Sequence, residues 1–421
     1  MSTMLELSPA FPDDSRLTAD GRIEIGGCDA VELAREFGTP AYVVAERDLV
    51  EGARAYRTAA SAAGGDVQIA FASKAFPCTA ALAIFAREGL WCDVASEGEL
   101  HLALAAGFPA ERIVMHGNAK SRAELEQALA AGVALIVIDN EDELELLEEL
   151  AAGRRQRVLV RVTPDVSGET HEKISTGQAN SKFGLSPDRA AAALARIAER
   201  GVLDGAGIHA HIGSQLFELE PFRRAAAALA GFAGLAVWDL GGGLAATYQA
   251  RGATPPPVRE YVDAVIQAAR AAGHGPQQTL ILEPGRSLTA NAGLTLYTVQ
   301  SVKRNVSTWV AVDGGMSDNL RPMLYGARYE AYVADRVGGG ESCVLVGKHC
   351  ESGDVIVHDA RLESPRRGDV IATPATGAYG YSMANNYNGV PRAPVIFCAD
   401  GRARVVVRRE TLDDLTARDV H

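Results

Sequence analysis

A repeating alternation constrains this chain more than any other feature. From about residue 65, short apolar runs alternate with alanine-rich amphipathic stretches, the pattern of βα units around a parallel sheet. The predicted strands are 67–71, 91–94, 112–115, 134–138, 157–162, 205–211, 235–240 and 279–282. Helices are readable between them, for example over 97–106, 122–131 and 141–152, and a longer insertion with a 171–184 loop separates the fifth strand from the sixth. Eight strands with alternating helices fit a closed (β/α)8 barrel, whose usual length is about 250 residues. An open doubly wound sheet is the alternative, but it normally carries a phosphate loop after its first strand, and none follows 67–71.

After about residue 290 the texture changes to short β-type runs at 295–302, 308–312, 343–346, 355–358, 370–373, 395–398 and 404–408, spaced by Gly, Pro and Asp turns. Residues 23–25 and 41–44 have the same character and are expected to join them. The fold class is therefore α/β: a (β/α)8 barrel over 47–290, with a β-barrel or sandwich domain formed by 1–46 and 291–421. A length of 421 residues suits two domains. The formal charge of −12 argues against nucleic acid or an anionic membrane as the main partner, and no apolar stretch approaches the ~20 residues of a membrane span. The six cysteines form no C-x-x-C pair and read as reduced thiols. With no signal peptide visible in 1–20, the expected location is the cytoplasm.

In such a barrel, catalytic groups sit at the C-terminal ends of the strands. Polar residues punctuate those ends here: Ser73-Lys74, Ser96-Glu97, His116-Gly117-Asn118, His209 with His211, Gly241-Gly242-Gly243, and Glu283-Pro284-Gly285-Arg286. A desolvated lysine at position 74 is a nucleophile for an imine; the alternative is a lysine reaching solvent. The glycines Gly241, Gly242 and Gly243 let backbone N–H groups approach a phosphate, or simply permit a tight turn. Arg286 can bind a phosphate or carboxylate in bidentate fashion, and Glu283 can keep a pyridinium nitrogen protonated, unless the two merely pair with each other. His209 and His211, two residues apart, face one side of a strand and can be read as a metal-binding pair. Stacking of a histidine on a flat cofactor ring suits the other residues better, and Ser214 just beyond can donate to a phosphate. Cys350, between His349 and Glu351, is a possible proton donor or a packing residue.

Taken together these residues resemble a known family. Phe71-Ala72-Ser73-Lys74-Ala75, His211-Ile212-Gly213-Ser214-Gln215, Asp239-Leu240-Gly241-Gly242-Gly243 and Glu283-Pro284-Gly285-Arg286 match the diaminopimelate decarboxylases, of the alanine-racemase-like (fold type III) pyridoxal-phosphate class. Val312-Asp313-Gly314-Gly315-Met316, Leu320-Arg321-Pro322-Met323-Leu324-Tyr325, Cys350-Glu351-Ser352-Gly353-Asp354 and Gly377-Ala378-Tyr379 extend the match through the C-terminal part.

The resemblance implies pyridoxal 5'-phosphate as cofactor, no metal, and decarboxylation of meso-2,6-diaminopimelate to L-lysine and CO2 in a homodimer with shared active sites. Lys74 would hold the cofactor as an imine and His211 would stack on its ring. Ser214, Gly241–Gly243 and Gly285 would hold the phosphate, and Glu283 the pyridine nitrogen. Arg286, Arg321 and Tyr325 would bind the substrate's distal carboxylate side. From the second subunit, Cys350 would protonate the product and Glu351 would contact the distal amino group. Tyr379 would touch substrate and cofactor. Phe71 and Gly380 stand where the family usually carries tyrosine and often cysteine, so both bear on the lining of the pocket. A racemase on the same fold, and a decarboxylase of another amino acid of carboxynorspermidine or secondary-metabolism type, are the rival activities.

Overall fold

The computed structural model describes residues 6–151, 153–164 and 181–420. It divides into two compact units. One comprises Val50–Ala245 and Thr254–Ser287; the other takes the segment up to Leu49, Ala246–Ala253, and the chain from Leu288 onward.

The first unit is the barrel. Its strands are β1 (Asp66–Ala72), β2 (Trp91–Val94), β3 (Ile113–Met115), β4 (Leu135–Ile138), β5 (Arg157–Arg161), β6 (Asp204–His209), β7 (Val237–Asp239) and β8 (Thr279–Leu282). They pair in parallel in chain order, and β8 closes the ring on β1 with Leu282 opposite Ile69. Strands buried on both faces are near-continuous apolar runs, which is why they were readable. The interior is filled by Ala70, Val114, Leu135, Val137, Leu159, Ala206, Val237 and Ile281, with Trp91 of β2 packed against them. Three helix starts of this unit are fixed locally. Ser96 Oγ accepts from the Glu99 N–H at 3.2 Å, Ser121 and Glu124 form a reciprocal capping box, and Asn140 Oδ1 accepts from the Glu143 N–H at 2.9 Å. Such caps contribute about 0.5–2 kcal/mol each. Ser96, read from the sequence as a polar group at the mouth, thus serves as a helix cap.

One sequence expectation fails at β6. Pairing ends with His209 opposite Asp239, so His211 lies beyond the strand and the two-residue alternation does not reach it. Of the 171–184 loop, residues 171–180 lie outside the described residues.

The second unit is built on Gly293–Arg304. The first half of this strand pairs with Ala41–Ala45 on one side and Val370–Pro374 on the other, and its second half pairs with Thr308–Val312. A nine-stranded sheet results, into which Val395–Ala399 enters by parallel pairing with Ala41–Ala45. Residues 23–25 form a separate three-stranded sheet with Ser15–Leu17 and Cys28–Asp29. Among the described residues no helix is long and apolar enough to cross a membrane.

The barrel interior sets the stability of the first unit. Leu159 is fully buried there, and Leu159→Ala should cost about 2–5 kcal/mol and lower the thermal midpoint by several degrees. Differential scanning calorimetry checks this.

Candidate active site

Because all eight strands run in parallel, their C-terminal ends share one rim, and the site is assembled there. After β1 the chain tightens into a 3₁₀ turn, Ser73–Ala75, that buries Ser73 and Ala75 and leaves Lys74 exposed. Register places Asp93 of β2 beside Ala72, and the Lys74 Nζ lies 3.3 Å from Asp93 Oδ2. The Asp93 side chain is buried, so the lysine has a fixed carboxylate partner on the protein side.

Behind this pair lies a buried polar cluster. His116, just after β3, places Nε2 2.6 Å from Glu283 Oε1, and His209, ending β6, places Nε2 3.4 Å from Glu283 Oε2. The two imidazoles meet edge to face with centroids 4.8 Å apart. Burial works to raise the Glu283 carboxyl, but His116 and His209 outweigh it and hold the group well below the usual carboxylate range. Asp239, ending β7, is pushed well above that range by burial and then by the Glu283 charge. Its Oδ1 accepts the Gly241 N–H at 2.9 Å. Burial lowers His209 to about 3, so it is neutral at pH 7. Glu283 Oε1, Asp239 Oδ2, His116 Nε2 and both nitrogens of His209 are buried without a hydrogen bond of ordinary geometry among the described residues. The donor atoms of His116, His209, Asp239 and Glu283 lie within 4.8 Å of one another, and His211 is not among them. The two-histidine chelate suggested by the His209–His211 spacing is therefore not formed.

His211 has a different partner: its Nδ1 accepts the Gly242 N–H at 3.2 Å. Burial, and next the Lys74 ammonium, push its imidazole well below the ordinary range. The glycine turn is sterically required. A Cβ on Gly242 would sit 2.0 Å from the Glu283 carbonyl oxygen, and one on Gly241, at φ +64°, 2.6 Å from His211 Nδ1. Arg286, buried after β8, donates from Nε and one Nη to Ser214 Oγ at 3.1 and 3.0 Å. It pairs with this hydroxyl on the β6–β7 side, so a phosphate-sized anion would meet a guanidinium, a hydroxyl and backbone together.

The remaining sequence candidates lie on the β-rich unit. Arg321 is buried, bonds to Tyr329 Oη, and stacks on Tyr248 with its guanidinium carbon 4.7 Å from the ring centroid. Burial pulls its pKa down, but Tyr248 and Tyr329 outweigh that and raise it, with Tyr379 adding in the same direction. Tyr325 closes the short helix Arg321–Tyr325, one turn along. Tyr379 holds φ +61°, in the left-handed region. Cys350 and Glu351 are exposed; Glu351 accepts from Tyr387 Oη, and the loop is pinned by Asp354, which accepts the N–H groups of Met316 and His349 at 2.8 and 2.9 Å.

Phe71 does not bear on the pocket as expected. It packs on Phe85 at 4.3 Å, on the helix-facing side of β1. A Cβ at Gly380 would meet the Thr376 carbonyl at 2.7 Å, which explains the glycine locally. The sequence reading gave Asp93, His116 and Asp239 no role. Their only signal was position: a charged residue inside an apolar run, and polar residues at strand ends.

A profile of the pyridoxal-binding domain of pyridoxal-dependent decarboxylases matches residues 47–290. This chain belongs to that family. It is 44% identical to a diaminopimelate decarboxylase of Bacillus subtilis over 96% of this chain and 97% of the relative. It is also similar to the crystal structure of diaminopimelate decarboxylase from M. jannaschii in complex with L-lysine (TM-score 0.92, 34% identity, 99% of each chain). The enzyme from Helicobacter pylori, also with L-lysine, gives a TM-score of 0.87 at 32% identity over 92% of this chain and 98% of that one. The family's cofactor is pyridoxal phosphate, and the barrel residues fit it. A buried, ionised Glu283 with an unsatisfied oxygen suits a protonated ring nitrogen, the Arg286–Ser214 pair suits a phosphate, and Lys74 suits an aldehyde.

The buried neutral His209 makes a testable contribution to the pH dependence of this decarboxylase. A histidine depressed from 6.5 to about 3 takes up its proton more readily when unfolded, so stability is full above pH 6.5 and is lost as pH falls below it. The slope from this one group is at most about 1.4 kcal/mol per pH unit. Thermal midpoints between pH 7 and 4.5 should fall less steeply in His209→Asn than in the wild type. Equal slopes would show that His209 is not the group responsible.

Proposed function

We propose that this enzyme decarboxylates meso-2,6-diaminopimelate to L-lysine and CO2, the last step of lysine biosynthesis. The observation that carries this reading is similarity over nearly the full length to enzymes of that name, two of them solved with L-lysine. When bound, pyridoxal phosphate supplies an electron sink for the bond broken at Cα.

The chain's own residues do the rest. Lys74 would hold the cofactor through its amine, whose position Asp93 fixes. Glu283, held ionised beside His116 and His209, would accept a hydrogen bond from the protonated ring nitrogen. His211, neutral and oriented by the Gly242 N–H, would stack on the ring. Ser214, Gly241, Gly242, Gly243, Gly285 and Arg286 hold the phosphate end. Arg286, Arg321 and Tyr325 bind the carboxylate that the substrate keeps, and Tyr379 contacts substrate and cofactor. The protein is a cytoplasmic homodimer in which Cys350 and Glu351 serve the partner subunit's site. Cys350 returns a proton to Cα, and Glu351 binds the distal ammonium. Exposure of the Cys350–Glu351 loop, with Asp354 holding its shape, supports a role across an interface.

Purified protein with cofactor and meso-diaminopimelate should release CO2 and L-lysine in equal amounts. Absence of lysine while another amino acid is decarboxylated would redirect the substrate assignment. Lys74→Ala should lose both the visible absorbance and turnover. Cys350→Ala should keep the absorbance and lose about 10²–10⁴-fold in kcat, the range of a general acid. Mixed dimers of the two variants should regain activity, and confirmed mixed dimers without it would refute sharing of sites.

A further inference from the structure

Two buried carboxylates face this site, and one side chain stands between them. Asp93 directs Oδ2 to the Lys74 Nζ at 3.3 Å, and its other oxygen lies 3.8 Å from His116 Nε2. The same nitrogen lies 2.6 Å from Glu283 Oε1. The side chains of His116, Asp93 and Glu283 are 8%, 3% and 5% exposed, so water screens none of them well. The His116 backbone N–H donates to the Val94 carbonyl at 2.7 Å, which fixes the residue beside the end of β2. The titratable and charged groups facing this cluster are Asp93 of β2, Glu283 after β8, His209 of β6, Asp239 of β7 and Arg161 of β5, with Lys74 at its open side.

We infer that His116 is a positioning residue that couples the two ends of the cofactor site: its imidazole stands between Glu283, which faces the ring nitrogen, and Asp93, which orients Lys74. Two carboxylates this close in a low dielectric depend on the polar group that stands between them. Without the imidazole the two carboxylates face each other across an apolar gap and shift apart. The ring nitrogen or Lys74 then loses a correctly placed partner. Either outcome weakens cofactor binding and changes the proton affinity of the lysine, even though His116 touches neither substrate nor the reacting bond.

The inference rests on the proposed pyridoxal-phosphate chemistry, and its test separates the two. His116→Leu removes the donor, and His116→Gln keeps an N–H near the Nε2 position. Apoprotein of each, checked for folding by circular dichroism, is titrated with pyridoxal phosphate by fluorescence, and the visible absorbance of the Lys74-bound cofactor is followed against pH. Expected results are at least about a tenfold rise in cofactor Kd for His116→Leu with a displaced pH profile, and substantial recovery of both in His116→Gln. If His116→Leu fails to fold, His116→Asn, whose shorter amide cannot reach Glu283 and Asp93 together, is titrated in its place and should show the same rise in Kd. Unchanged Kd and pH profile in the folded Leu or Asn variant, or impairment of the Gln variant equal to it, would overturn the inference. Wild-type apoprotein that never becomes yellow would overturn the cofactor reading, and this inference with it.

Discussion

Closure of the barrel by β8 on β1 is the constraint on which the site depends. Glu283, Gly285 and Arg286 are far from Ser73 and Lys74 in sequence, and only the parallel pairing of Leu282 with Ile69 makes them neighbours. The junction is tight: a Cβ at Gly285 would lie 3.0 Å from that of Ala72 and 3.1 Å from that of Ala75. Long-range closure costs chain entropy before it yields contacts, and the apolar interior offsets that cost. Once the ring is closed, parallel strands oblige every C-terminal end to share one rim. Residues from β1, β2, β3, β6, β7 and β8 then meet within a few ångströms with no motif linking them in sequence.

Gathering charges at that rim carries its own cost, and the structure answers it with compensating groups. Asp93, Asp239 and Glu283 are all buried. Asp239 is driven toward its neutral form, while Glu283 is held ionised by imidazoles. A second buried pair stands alongside: Lys120 lies 2.8 Å from Glu143 and donates to the carbonyls of Gly117 and Val137 at 2.7 Å each. Burial first, against the pull of Lys120, takes Glu143 up to about 7, and burial lowers Lys120. That lysine ties the loop after β3, which carries His116, to β4. Pairs of this kind contribute little net stability, but losing one partner strands a charge, so they fix geometry more than they add energy.

This division explains what could be read in advance. The strands were legible because barrel strands are apolar on both faces, and the helices because alanine-rich amphipathic stretches separate them. Lys74, Glu283 and Arg286 were legible because each follows an apolar run. Asp93 was not, since it lies inside the run 91–94, and a single strand does not reveal which neighbour its register brings alongside. His116 was visible as a polar residue at a strand end, but its partner is Glu283, fixed only by closure. The reading of His209 with His211 failed for the complementary reason: alternation applies only while a strand lasts, and β6 ends at His209.

On the β-rich unit, physical reading goes less far, because short strands and exposed loops carry no periodic signal for a site. Arg321 illustrates the gap. Its partner Tyr248 belongs to Ala246–Ala253, a stretch interposed among barrel elements in sequence yet part of the other unit. Only the three-dimensional arrangement shows a buried guanidinium held by the Tyr329 hydroxyl and by the faces of Tyr248 and Tyr329. Tyrosine is neutral near pH 7, so these partners orient the cation without neutralising it. A buried positive charge in that state favours a carboxylate ligand over an ammonium. Were Arg321 a substrate ligand, as proposed, that preference would suit a substrate that keeps one carboxylate after losing the other.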